Sequence, residues 1–419
     1  MLSSSLVLLA INMLITLAEN VKLGLQENAG QFTLLLLINA FVGGMVGMER
    51  SIFVEYVKLG FDISAHTAIL TFIAVFGLSK ALANYFSGRW ANRWGRKNIL
   101  LLGWVLALPV PLMLIYAPSW SWVIAANVFL GLSQGLAWSS TVVMKIDLVG
   151  EKNRGLAMGL NEFSGYLAVG VMAWLTGYIA QVYGITPYPF YLGIGLSLVG
   201  LLLTAFWVKD TRVFVEKEQS TERSAGLTNV FWETTWKNKT LSSVTQAGLI
   251  NNLNDGMIWG LFPVLLFALN YDSQQVGVLT AIYPAVWGIG QLFTGKMSDH
   301  FPKKIMLFWG MVLQAGAILF IPFTEHYAAL GLLSGLLGLG TALVYPTFLS
   351  AIAQETSPNQ RAESIGVFRL WRDIGYVFGA LISGLVADYF GVTSAVLLIG
   401  LLTLISAGVI QYRMPRKVE

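Results

Sequence analysis

Eight ionisable residues stand inside stretches that are otherwise apolar: Glu49, Arg50, Lys80, Glu162, Asp255, Arg369, Arg372 and Asp373. Six of them fall in three short segments, Gly47-Met-Glu-Arg-Ser51, Leu253-Asn-Asp-Gly256 and Phe368-Arg-Leu-Trp-Arg-Asp-Ile-Gly375. A carboxylate held away from water gains affinity for a proton, which suits it to exchange that proton for a solute. The same charges, paired, can instead do no more than cement helices together. Asn251, Asn252 and Asn254 beside Asp255 add amides able to bond a ligand. Trp138, Trp259, Trp287 and Trp371 supply either apolar walls or packing and lipid-facing surface. Glu49 and Arg50 are adjacent, so on a helix they point about 100° apart and each must look to another element. Arg369 and Asp373 are four apart, share a helix face, and are expected to pair.

The elements that hold these charges are membrane helices. The chain of 419 residues is 56% hydrophobic and 11% charged, with a mean hydropathy of +0.67, too little charge for a soluble protein. Apolar stretches of about 20 residues, the length that crosses roughly 30 Å of hydrocarbon, recur twelve times from Phe32 onward. The fold class is therefore all-α and polytopic. Counted from the helix ends rich in basic residues, Glu49 and Arg50 lie about 25 Å deep and Asp255 about 20 Å, with the other five nearer 9 to 15 Å. Two charged layers result.

Basic residues set the orientation. Arg89, Arg93, Arg96 and Lys97, then Lys152 and Arg154, a linker with six bases, Lys303 and Lys304, Arg361, and Arg413, Arg416 and Lys417 all fall on one side; the opposite connections hold Lys58. Positive charge resists translocation, so the rich side is cytoplasmic, as are both ends of the twelve-span core. The location expected is the plasma (inner) membrane. The net charge of +4 is a topology signal and not a sign of nucleic-acid binding. No cysteine is present, which excludes disulfides and thiolate chemistry, and three scattered histidines (His66, His300, His326) do not make a metal site. No cofactor is expected.

Five regions follow. Residues 1–31 hold an uncharged N-terminal segment, 1–18, that either lies on the membrane surface or adds a thirteenth span. Residues 32–208 and 241–412 carry six spans each. A cytoplasmic linker, 209–240, joins them and ends in an aromatic run (230–236) that reads as an ordered tether or as an amphipathic helix on the inner leaflet. A tail, 413–419, closes the chain.

The two six-span halves repeat one another. Gly88-Arg-Trp-Ala-Asn-Arg-Trp-Gly-Arg-Lys97 follows the second span and Gly295-Lys-Met-Ser-Asp-His-Phe-Pro-Lys-Lys304 the eighth, their first glycines 207 apart. Arg154 and Arg361, after the fourth and tenth spans, are again 207 apart, as are Gly159 and Gly366. Two matches at one offset mark duplicated units.

The first of these segments resembles the signature loop of the major facilitator superfamily, and the resemblance covers about residues 32–412. It implies two six-helix bundles around a central cavity that opens to each side in turn. In physical terms Gly88 lets helices approach, Gly95 permits a tight turn, and Arg93, Arg96 and Lys97 fix the loop to anionic headgroups. Where the family has an aspartate this chain has Asn92, while the second copy keeps Asp299; the latch that this acid helps to form on the cytoplasmic side is expected to be weaker here. Gly131-Leu-Ser-Gln-Gly135 has glycine where the family's drug exporters carry an arginine, and Gly165-Tyr-Leu-Ala-Val-Gly170 lacks their proline, so likeness to the exporters is partial. The resemblance puts the first and seventh helices on the cavity, with Glu49, Arg50 and Asp255 near the transport path, and the second helix against the eleventh, so that Lys80 and Asp373 are expected to bridge the bundles.

The reading is a secondary transporter of a small organic solute, an exporter driven by exchange with protons, working as a monomer in the lipid bilayer. The alternatives are an importer of an anionic solute partnered by Arg50 or Arg372, and a membrane receptor on the same fold, which is expected to carry a large extra cytoplasmic domain. An enzyme is not expected: no nucleophile stands at working distance from a base, and glycine runs such as Ser334–Gly340 are helix-packing residues. If Glu49 carries the coupled proton, Glu49→Gln abolishes proton-driven flux in reconstituted vesicles; undiminished flux removes it from that role.

Overall fold

The structure, a computed structural model, describes residues 22–415 other than 51, 54, 55, 57–59, 62–64, 152, 222–225 and 272. The N-terminal segment 1–18 and the side chain of Arg50 lie outside the described residues. Among those described, every regular element is helical. Twelve are long: α1 (Ala29–Arg50), α2 (Ala65–Trp94), α3 (Arg96–Ile115), α4 (Trp120–Val149), α5 (Arg154–Tyr183), α6 (Tyr188–Phe206), α7 (Lys239–Ala268), α8 (Ser273–His300), α9 (Lys303–Phe320), α10 (Tyr327–Glu355), α11 (Pro358–Phe390) and α12 (Val392–Arg413). Even α9, with 18 residues, spans about 27 Å. A shorter linker helix, Arg212–Thr221, lies between α6 and α7.

Eight of the twelve are apolar enough by composition alone to cross a membrane. The four that are not, α2, α4, α7 and α8, carry polar residues turned inward: α4 is buried without a break from Ser133 to Val149, and α7 buries Asn251, Asn252, Asn254 and Asp255. Polar groups inside a membrane protein are tolerated where they face protein. Prolines mark breaks: α3 is interrupted at Leu108 before Pro109, and Pro263, Pro284 and Pro346 lie within α7, α8 and α10.

The two sets of six pack in the same pattern. In the first, α1 lies on α5, α2 on α4, and α3 on α4 and α6; in the second, α7 lies on α11, α8 on α10, and α9 on α10 and α12. The halves meet through α2 against α11 and α5 against α8. Small residues permit these crossings. A Cβ on Gly88 would stand 2.3 Å from the carbonyl oxygen of Ala362, and one on Gly295 would stand 2.7 Å from that of Gly155. Ala362 and Gly155 are themselves 207 apart, so the two crossings are copies.

The signature segment departs from the loop expected. Helix α2 runs on through it to Trp94 and stops at Gly95, whose φ of 90° is the left-handed conformation that glycine adopts freely. Arg93 is exposed, whereas Arg96 is buried and its Nε donates to Asp147 at 3.2 Å, and Lys97 Nζ donates to the Ala205 carbonyl at 2.8 Å. Arg96 therefore anchors helices to each other and does not reach headgroups.

At this end of the molecule the halves are latched. Asp299 accepts from the Gly155 and Leu156 backbone N–H groups at 2.6 and 3.0 Å, a carboxylate on the N-terminus of α5. The equivalent place on α11 receives Asn92, whose Nδ2 donates to the Asn359 carbonyl at 2.8 Å. Arg89 pairs with Glu363 at 2.8 Å. Glu218, on the linker helix, holds both Arg154 and Arg361, the latter through bonds of 2.8 and 2.9 Å. The aromatic end of the linker packs as well: Phe231 meets Tyr85 of α2 at 5.9 Å, and Trp371 Nε1 of α11 donates to Thr235 at 3.1 Å.

Two outcomes follow from this latch. Asn92→Asp restores a charge at the α11 N-terminus, worth about 0.3–1 kcal/mol, and should raise the closed population measured by spin-label distances across this end; an unchanged population counts against it. Burial pushes the Glu218 carboxyl up, but Arg361 and Arg154 outweigh it and hold the group below its ordinary 4.5. A depressed value means that its contribution is complete above 4.5 and is lost as pH falls through the lower one. The difference in these distances between the parent and Glu218→Gln should thus stay constant from neutrality down to pH 4.5 and shrink only on further acidification.

Candidate functional site

Glu162 on α5 is wholly buried, and its Oε1 accepts from Trp138 Nε1 at 3.0 Å and from Asn161 Nδ2 at 2.7 Å. The same Asn161 accepts, through Oδ1, from the buried Lys145 Nζ at 2.5 Å. Across the boundary between halves, Arg369 of α11 brings Nη2 to 3.8 Å from Glu162 Oε1, and its Nη1 donates to Ser139 Oγ of α4 at 3.3 Å. A second knot lies one turn along α11. Asp373 accepts from Asn84 of α2, from Asn252 of α7 at 3.4 Å and from Arg372 at 3.4 Å, while Asn84 in turn accepts from Ser139. The Arg372 guanidinium lies over the Tyr345 ring, 4.3 Å from its centroid.

Aromatic rings close the circuit. Trp138 meets Tyr166 at 5.5 Å, Tyr166 meets Trp287 at 4.2 Å, and Trp287 meets Tyr345 at 6.0 Å. The contacts therefore form a ring through six helices of both halves, α2, α4, α5, α8, α10 and α11, with one arc charged and hydrogen-bonding and the other aromatic. Such an arrangement can hold a solute with a polar end and a flat apolar body, and its charged arc can rearrange only if the halves move.

The ring follows the repeat. Glu162 and Arg369 are 207 apart, as are Trp138 and Tyr345, Tyr166 and Asp373, Lys80 and Trp287, and Asn84 and Gln291. One duplicated pair, Glu162 and Arg369, meets directly across the halves, and there the copies carry opposite charges.

Several expectations are corrected. Arg369 does not pair with Asp373; it reaches across to Glu162 and Ser139, because Asp373 is already engaged by Asn84, Asn252 and Arg372. Lys80 does not bridge to Asp373 either. Asn84, one turn further along α2, takes that place, and Lys80 Nζ lies 5.8 and 5.9 Å from the rings of Phe76 and Trp138. Asn254 bonds Gln314 at 3.0 Å and Thr403 at 2.7 Å, satisfied among α7, α9 and α12 and apart from the ring. Asp255 accepts from Tyr283, which stacks on Trp287 at 5.9 Å and so connects to the aromatic arc. Asn251, one helical turn from Asp255, is buried with no hydrogen-bond partner for its amide. Glu49 is buried near the other end of α1, with the Asn127 side chain as its polar neighbour and no hydrogen bond of good geometry. At Gly131 a Cβ would stand 2.1 Å from Ser79 Oγ and 2.7 Å from the Phe76 carbonyl, so an arginine has no room there as α2 and α4 are packed.

Asn84, Ser139, Lys145, Asn161, Tyr166 and Tyr345 belong to the network and were not among the candidates. The repeat spacing was the available signal, since it relates Asn84 to Gln291 and Trp138 to Tyr345.

Comparisons with known proteins agree with this fold. The profile of the Major Facilitator Superfamily matches residues 32–252 and 244–418. The chain is 25% identical over 379 residues to the proton-coupled antiporter flippase LtaA of Staphylococcus epidermidis, covering 87% of this chain and 88% of that one. It is 24% identical over 342 residues to the multidrug resistance protein MdtG of Serratia proteamaculans, covering 79% and 80%. The human organic anion transporter MFSD10 shares the fold, with a TM-score of 0.76 at 16% identity over 91% of this chain and 98% of that one. With two matched six-helix bundles, latched at one end and joined by a charged ring, the chain belongs to the Major Facilitator Superfamily and is a membrane transporter.

Proposed function

We propose that the chain exports a small organic solute in exchange for protons, by alternating access, with Glu162 as the proton-carrying group. The observation that carries this reading is the 3.8 Å contact between Glu162 and Arg369, which joins the halves deep in the molecule. A proton entering from the side opposite the latch neutralises Glu162 and frees Arg369, which lets the latched end open; there the proton leaves to the cytoplasm, the solute binds, and the guanidinium returns to the carboxylate as that end closes. The aromatic arc of Trp138, Tyr166, Trp287 and Tyr345 binds the body of the solute. Two relatives named as a proton-coupled antiporter flippase and a multidrug resistance protein support exchange and export. The latched end is cytoplasmic in this reading, the membrane is the plasma membrane, and the chain works as a monomeric carrier and not as a catalyst. Glu49 and Asp255 serve the same path, Asp255 through Tyr283 and Trp287.

A second reading, import of an anionic solute together with a proton, is favoured by one observation: Arg369 Nε and Nη2 and Arg372 Nε are buried without a hydrogen-bond acceptor. An anion taking Arg369 from Glu162 leaves that carboxylate to a proton, so the two would travel together.

The test uses everted membrane vesicles with an acid lumen and a fluorescent pH probe, screened with a panel of organic solutes. Exchange raises the lumenal pH when a substrate is added; co-transport lowers it. Glu162→Gln should reduce the proton signal at least roughly tenfold, because one group cannot be replaced by its amide as a proton carrier. A normal signal from that variant refutes the role given to Glu162.

A further inference from the structure

We propose that Arg154 and Arg361 form one anion site divided between the two halves, that its ligand is the carboxylate of Glu218, and that the linker helix is consequently a moving part of the gate.

The two arginines are repeat copies, 207 apart, at the starts of α5 and α11. Each lies at the end of a helix that crosses into the opposite half. Both are buried, Arg361 completely, and so is Glu218. Glu218 Oε1 accepts from Arg154 Nη2 and from Arg361 Nη2 at 2.9 Å, and Oε2 accepts from Arg361 Nη1 at 2.8 Å. One carboxylate thus makes a forked pair with one half and a further ion pair with the other. Arg154 Nη1 also donates to the Ala353 carbonyl at 3.3 Å, and Arg361 Nη1 lies 3.9 Å from Asp147, which Arg96 and Thr211 hold at 3.2 and 2.8 Å. The Arg361–Asp147 pair also joins the two halves, at a longer distance than either arginine keeps to Glu218.

Separation of the latched ends pulls Arg154 and Arg361 apart, and a single side chain cannot follow both. Glu218 must then release one of them. A buried arginine that loses its carboxylate is costly, so the linker's grip biases the molecule toward the closed form. The bias falls where the signature copies differ: Asp299 brings a carboxylate to the start of α5, Asn92 brings an amide to the start of α11, and the linker sets the Glu218 carboxylate on Arg361 there. Gln360 ties the same linker down a second time, accepting from Leu227 N at 2.7 Å and donating to its carbonyl at 2.8 Å. The proposal draws on the carrier reading only for the existence of a second conformation.

The chain has no cysteine, so Asn98→Cys and Phe301→Cys, both exposed and on opposite halves, accept a spin-label pair directly. In lipid nanodiscs Glu218→Gln should raise the population at long separation roughly tenfold, the loss expected for one charge-assisted bond. Glu216→Gln, exposed on the same helix, should leave the distances unchanged. In Glu218→Ala, inorganic phosphate added at millimolar levels should restore the short distance, whereas chloride at equal ionic strength should not. Distances in Glu218→Gln that match the parent overturn the proposal, as does a shift of equal size in Glu216→Gln. A Glu218→Ala protein whose opening ignores phosphate also overturns it, since a merely structural contact has no reason to be replaced by an oxyanion. If the solute screen yields no proton flux, these distances are unaffected, so the two readings fail separately.

Discussion

An ion pair between two halves of a membrane protein is costly to build and costly to break. Glu162 and Arg369 are both buried, and removing either partner from such a pair costs about 3–5 kcal/mol. At 3.8 Å the contact is longer than a fully formed charge-assisted bond. It therefore holds the halves together without welding them, which is what a carrier that changes shape requires. Trp138 and Asn161 donate to Glu162, and Ser139 accepts from Arg369, so protein groups replace part of the water that each charge has lost.

Duplication explains why that pair exists. In a sequence copied once, a position that lies at the axis relating the halves meets its own copy, as position 162 meets position 369. Identical charges there would repel; the copies have become Glu and Arg. The same logic sets Gly88 and Gly295 at the two helix crossings, and Arg154 and Arg361 around one linker carboxylate. The copies also diverge: aromatic Trp287 stands where the first half has Lys80, and Asn92 stands where the second has Asp299.

Much of this was legible in the sequence, and for physical reasons. Twelve apolar stretches and a 207-residue repeat follow from hydrocarbon thickness and from duplication, and they predict the helices and the family. Glu162, Arg369, Arg372 and Asp373 were visible because charge at membrane depth is conspicuous. Their partners were not. A spacing of four pointed Arg369 to Asp373, but helix periodicity says nothing about what an opposing helix offers, and Asn84 claims Asp373 first. Asn84, Ser139 and Asn161 carry no charge to mark them. Glu218 sits in a mixed run, Glu216-Lys-Glu-Gln219, that reads as solvated surface, and only the fold brings it onto two arginines.

The central claim is that the Glu162–Arg369 contact belongs to one conformation alone. Cysteines at positions 162 and 369 in this cysteine-free chain, joined through disulfides to a short bis-methanethiosulfonate linker that restores the reach of the two side chains, would fix this approach of the halves, and hydrogen exchange of the amides at the start of α5, where Asp299 holds Gly155 and Leu156, reports whether the latched end still opens. With the link formed, exchange there should slow sharply and recover on reduction. Exchange that is the same in the linked and reduced protein would contradict the account.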